Sequence, residues 1–110
     1  MMDLEIDSKI SKKLFYTCEN GNMWQLANML YAVSVEELRK IQTLAIIGRD
    51  ALFGNKITAE DFIMERKIAN IQPKEGIVSY LVNMQQKLPI YLTSGLVELK
   101  KCTKAKKQGE

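Results

Sequence analysis

Two groups of residues in this sequence have the chemistry to bind a charged ligand. Arg49 and Asp50 are adjacent, and the planar guanidinium of an arginine can donate two parallel hydrogen bonds to a carboxylate or a phosphate. The other group lies near the end of the chain, where clustered lysines would suit the phosphates of a nucleic acid. These lysines are Lys100, Lys101, Lys104, Lys106 and Lys107.

Both groups can also be explained without a ligand, by the way in which helices end. A glycine often follows the last turn of a helix, so Gly48 predicts that Arg49 and Asp50 are solvated or paired beyond a helix end. Lysines in a last helical turn offset the negative end of the helix dipole. Of 16 basic and 13 acidic residues, five lysines and two glutamates lie in residues 98–110, which leaves 11 of each sign elsewhere. The folded body therefore lacks the excess positive charge typical of nucleic-acid-binding domains.

The sequence predicts no catalytic residue, no metal and no cofactor. It contains no histidine, which removes the usual Ser-His and Cys-His pairings and His-bearing zinc sites. Cys18 and Cys102 lack a Cys-x-x-Cys spacing and predict two reduced thiols. Cys18 continues a helical stripe with Ile10 and Leu14, so we expect it in the core, whereas the lysines near Cys102 would lower the pKa of its thiol.

Two further patterns resemble catalytic motifs without meeting their requirements. The adjacent acids Glu36 and Glu37, and likewise Glu60 and Asp61, fall in the first turns of predicted helices, where capping and the helix dipole account for them. Residues 48–56 resemble a phosphate loop, but five residues separate the two glycines and no strand precedes them. We therefore expect a protein that is not an enzyme.

Helical signals dominate the chain, and no segment alternates in the way typical of a strand. With 110 residues, the chain predicts an all-α, compact single-domain bundle of five or six short helices over residues 1–99, followed by a lysine-rich tail over residues 100–110. Ser34 and Thr58 are predicted helix caps, and Pro73 begins a fifth helix. Pro89 either kinks that helix or, as we favour, begins a sixth.

Apolar stripes predict which side of each helix is buried. In the fourth helix, Met64, Ile68 and Ile71 recur at the helical period and are expected in the core. In the second helix, Trp24 and Tyr31 belong to a second apolar line, which predicts a central and largely buried helix.

Residues 25–41 also read as a helix, a tight turn and a second helix. DNA-binding units of this kind place the start of the second helix against the bases. Glu36 and Glu37 stand there and would repel the phosphate backbone. A nucleic-acid-associated protein that uses this segment or the C-terminal lysines is therefore the alternative function.

Three groups of residues after Leu38 form a recognisable pattern. They are Leu44-Ala45-Ile46-Ile47-Gly48-Arg49-Asp50, then Glu60-Asp61-Phe62, and then Tyr80-Leu81, Leu88-Pro89, Tyr91-Leu92 and Gly95-Leu96. Through these residues, the chain resembles over residues 38–100 an uncharacterised family of small bacterial proteins with an Ile-Gly-Arg element. The family has an aromatic residue before that element and a glycine before the aspartate, where this chain has Ile46 and a direct Arg49-Asp50 step. The resemblance implies a small helical domain and no established activity.

The expected location and function follow from the composition of the chain. No run of eighteen apolar residues is present and the first residues are acidic, so we expect a cytoplasmic protein with no membrane partner. An apolar content of 46% can supply both a core and a contact patch. We therefore expect a protein-interaction module, an adaptor, regulator or inhibitor of the size found in phages and mobile elements. Its partner would be a protein, and a homodimer through the last two helices is compatible with the sequence.

Overall fold

A computed structural model describes residues 4–108, with side chains as far as Thr103. These residues form six α-helices and no strand, so the predicted all-α single domain is confirmed. None of the helices described is long and apolar enough to cross a membrane. The helices are α1 (Ser8–Asn20), α2 (Met23–Tyr31), α3 (Val35–Leu52), α4 (Ala59–Asn70), α5 (Lys74–Met84) and α6 (Leu88–Gln108), with a 3₁₀ helix (Gln85–Lys87) before α6.

The predicted caps begin their helices. The Ser34 hydroxyl accepts the backbone N–H of Glu37 at 3.3 Å, and the Asp61 carboxylate accepts the backbone N–H of Thr58 at 2.7 Å. The Glu37 side chain does not return to Ser34, however. It accepts the backbone N–H of Asp7 instead, which ties the start of α1 to the start of α3.

Helix α3, and not α2, is the central helix of the bundle. Its buried apolar residues face several neighbouring helices at once, and they are Leu38, Ile41, Leu44, Ala45 and Ile47. The prediction of a largely buried α2 is wrong because only Leu26, Met29 and Leu30 of this helix are buried. Trp24 on the other line is 79% exposed, and Tyr31 is 47% exposed.

Gly48 lies inside α3, so the prediction that the helix stops there is wrong. It is buried where α3 crosses α6, opposite Gly95. A Cβ atom added at Gly48 would lie 2.6 Å from the backbone N of Gly95 and closer still to the carbonyl oxygen of Tyr91. One added at Gly95 would collide with the carbonyl of Leu44. The two backbones therefore touch directly, which only glycine permits.

Helices α5 and α6 are separate, as favoured for Pro89. Helix α5 ends at Met84 because Gln85 has a φ of 51°, a backbone conformation that residues other than glycine rarely adopt. After the 3₁₀ helix, α6 begins at Leu88 and places Pro89 in its first turn, where a missing N–H removes no helical hydrogen bond. Helix α6 then continues without interruption past position 100, where the lysine-rich tail was expected to begin.

The glycine contact predicts a difference between three glycine substitutions. Gly48→Ala and Gly95→Ala should each lower the free energy of unfolding by about 1–3 kcal/mol or more, because the added methyl group meets backbone atoms. Gly76→Ala is the control, since its Cβ would meet only Pro73 side-chain atoms at 3.6 and 3.7 Å. It should raise stability by up to about 1 kcal/mol through helix propensity. Urea unfolding followed by circular dichroism measures all three, and equal losses would refute the direct backbone contact.

Candidate functional site

The apolar stripe of α4 points away from the protein. Met64 is 61% exposed, Ile68 41% and Ile71, at the end of the helix, 84%. The prediction that these three residues are core is therefore wrong. We call Met64, Ile68 and Ile71 the α4 stripe.

Helix α4 faces the rest of the molecule with its other side. Phe62 and Ala69 are buried, and because they are seven residues apart they lie on the same side of the helix. At about 100° per residue, Met64 lies about 200° around the helix from Phe62. The α4 stripe is therefore on the side opposite to the contact with α3.

Polar contacts explain why α4 turns this side outward. The Arg39 Nε donates to the carbonyl of Ala69 at 3.2 Å, and the Gln42 amide donates to the Gln72 side chain at 2.7 Å. Arg66 of α4 also forms an ion pair with Glu36 of α3. Rotating the α4 stripe inward would break these contacts and leave polar groups of α3 buried without partners, which is costly.

A second apolar surface is concave. It is a groove of about 690 Å³ between α1, the end of α3 and α6, and we call it the α6 groove. Its apolar walls include Leu52, Ile90 and Val97, which are 52%, 59% and 46% exposed. The residues lining it are Phe15, Glu19, Ala51, Leu52, Asn55, Pro89, Ile90, Thr93, Ser94, Val97, Glu98 and Lys101.

The hydroxyl groups that line the α6 groove are already hydrogen-bonded within the protein. Thr93 donates to the carbonyl of Pro89 and Ser94 donates to the carbonyl of Gly48, both at 2.9 Å. Both hydroxyl protons are therefore used within the fold and are not available to a ligand in the groove. Glu98 pairs with Lys101 at 3.0 Å at one end of the groove.

The two predicted binding groups line different clefts. The Arg49 Nη1 donates to the Tyr80 hydroxyl at 2.6 Å, and its Nε lies 3.6 Å from the Asp50 carboxylate. A cleft of about 580 Å³ opens there, with Lys87 as its second cation. Arg49 thus pairs with both Asp50 and Tyr80, and α3 continues past Arg49 and Asp50 to Leu52.

The predicted lysine group follows the α6 groove along the same helix. Lys100 and Lys101 are exposed. The side chains of Lys104, Lys106 and Lys107 lie outside the described part of the chain. Arg49 and Lys101 therefore do not share a site.

The helix–turn–helix-like segment contributes no exposed second helix. Its second helix is α3, which is the central helix of the bundle. At the start of α3, Glu36 is paired with Arg66, and Glu37 accepts hydrogen bonds from Lys40 and from the Asp7 backbone. A recognition helix must present its first turns to the DNA groove, which this arrangement does not do.

Both cysteine thiols are stabilised in their neutral form. Cys18 is in the core as predicted, and burial, assisted by Glu19, raises the pKa of its thiol from 9.0 to about 11. The expectation of a lowered pKa at Cys102 is wrong, since burial and the nearby Glu98 and Asp61 raise it. Within the described residues, no three Cys, Asp or Glu side chains are grouped to hold a metal ion.

The raised pKa of Cys18 predicts a pH dependence of stability. Because the folded state holds the proton more tightly than the unfolded state, stability should be fully present below pH 9 and fall from about pH 9 to about pH 11. The fall should approach about 1.4 kcal/mol per pH unit. Urea unfolding of the wild type and of Cys18→Ala across this range measures the thiol's share, and identical slopes would contradict it.

Comparison of the chain with protein-family models, with curated proteins and with solved structures finds no match. The resemblance to the family with the Ile-Gly-Arg element therefore stays a prediction. The α4 stripe and the α6 groove are the features of this molecule that can support a proposal about function.

Proposed function

We propose that this protein is a non-enzymatic protein-interaction module and that the α4 stripe is its contact surface. One observation carries the proposal, namely that Met64, Ile68 and Ile71 form an exposed stripe on a helix whose buried side faces α3. The chain would act as an adaptor, a regulator or an inhibitor by occupying a site on another protein.

The spacing of the α4 stripe suits insertion into a groove. Amphipathic helices that bind in apolar grooves use anchors at positions i, i+4 and i+7, the spacing of Met64, Ile68 and Ile71. Each anchor is worth about 1.5–3 kcal/mol when fully buried, before the entropy lost on association is subtracted. The three anchors span seven residues, so the partner that fits this surface is a protein with an apolar groove about two helical turns long.

The nucleic-acid alternative has less support from the described residues. In the second helix of the segment 25–41, the exposed residue is Glu36 and neither basic residue is exposed, so the lysines of α6 are the remaining basic feature of this alternative. Binding through those lysines would weaken steeply between about 50 and 200 mM salt, with a slope near −0.9 per phosphate contact. Contact through the apolar α4 stripe would depend little on salt, which separates the two functions.

A double variant, Met64→Lys/Ile68→Lys, should abolish partner capture and leave the fold intact. Both side chains are exposed, so the free energy of unfolding should change by less than about 1 kcal/mol. The measurement is affinity capture from the source cells at moderate and high salt, read by quantitative mass spectrometry for wild type and variant.

Trp24→Lys is the matched control, since Trp24 is an equally prominent apolar residue on a different helix, 79% exposed. It should retain the partners that the double variant loses. If the double variant captures the same proteins in the same amounts as the wild type, the α4 stripe is not the contact surface.

A further inference from the structure

The chain carries a convex apolar surface and a concave one that are similar in length. Met64 and Ile71, at the two ends of the α4 stripe, are seven residues apart, which is about 10 Å along a helix. Ile90 and Val97, on the α6 wall of the groove, are also seven residues apart, again about 10 Å.

The charges at the ends of the two surfaces are also complementary. Helix α4 has Glu60 in its first turn and Lys67 in its last turn. In the α6 groove, Lys101 lies at one end, where it pairs with Glu98 and still has a side chain that is 69% exposed. Glu19 belongs to the last turn of α1, which lies beside the 3₁₀ helix at the other end. An α4 helix whose N-terminus points toward Lys101 would bring Glu60 near Lys101 and Lys67 near Glu19.

We propose that the α6 groove of one copy of this chain binds the α4 stripe of a second copy. The proposal rests on the proposed function of the α4 stripe as a contact surface and names the partner as the protein itself. Met64, Ile68 and Ile71 would enter the groove between Leu52, Ile90 and Val97, and the end charges would fix the direction of the helix.

Such a contact is heterologous, because each copy uses two different surfaces. One copy of a pair keeps a free groove and the other keeps a free α4 stripe, so further copies add head to tail. A symmetric α4–α4 contact is less favourable. Pairing Met64 with Ile68 of the second copy would place both Lys67 side chains next to the two-fold axis, where like charges repel.

Two acidic variants test the proposal through their mixture. Ile68→Glu removes the α4 stripe and keeps the groove, whereas Val97→Glu blocks the groove and keeps the stripe. Both positions are exposed, and the added charges have the same sign, so the mixture gains no new attraction. Ile90→Glu, at the other end of the groove, repeats the second variant in case Val97→Glu does not fold.

Mass from light scattering after size exclusion, and sedimentation velocity, would be measured from about 10 µM to 1 mM, the range suited to a small interface. We expect the wild-type mass to rise with concentration and each variant alone to associate at least about tenfold more weakly. The equimolar mixture should form a one-to-one dimer, because one intact groove then meets one intact α4 stripe.

Three outcomes would overturn the inference. In the first, the wild type stays monomeric at every concentration, and in the second, the mixture stays monomeric although the wild type assembles. In the third, the Val97→Glu variant dimerises by itself, which would indicate a symmetric α4–α4 contact instead. The proposed function is tested separately. A monomeric wild type that still captures a foreign partner through α4 refutes self-association alone, whereas assembly combined with α4-independent capture refutes α4 as the surface for other proteins.

Discussion

The direct contact between the backbones of α3 and α6 is the constraint on which the rest of this bundle depends. Gly48 and Gly95 let the two helices approach until backbone meets backbone, and Ser94 adds a hydrogen bond to the carbonyl of Gly48. With α6 fixed this closely, Leu88 and Leu92 enter the core formed by α3. The same approach leaves a gap beside α1, which is the α6 groove.

Features encoded within a few residues were predictable from the sequence. The caps at Ser34 and Thr58 and the new helix at Pro89 depend on side chains and backbone geometry within one turn. The break at Gln85 has no comparable signal, because glutamine is not a residue that favours a positive φ. The prediction that α3 ends at Gly48 was wrong for a related reason. Within its own segment a glycine indicates a helix end, whereas the role of Gly48 in the contact between α3 and α6 depends on Gly95, which lies on another helix.

The candidate site shows why apolar periodicity identifies a face without identifying what covers it. The spacing of Met64, Ile68 and Ile71 reports an apolar side of α4 correctly. Which side faces α3 is decided by Arg39 and Gln42, which are distant in sequence and offer polar groups that α4 must satisfy. The weak signal for this inverted arrangement was the pair Phe62 and Ala69, seven residues apart and on the opposite side.

Helix α4 has little apolar attachment to the bundle. Only Phe62 and Ala69 are buried in this helix, and the contacts with α3 described above are hydrogen bonds and an ion pair. Segments held in this way open with a smaller free energy than the global unfolding of the domain. The amide protons of α4 would then exchange with solvent through local opening, whereas those of α3 would exchange only when the whole bundle unfolds. Binding at the α4 stripe would stabilise α4 against this local opening. The exchange of its amide protons would then slow toward that of α3, so amide exchange in α4 would report whether the surface is occupied.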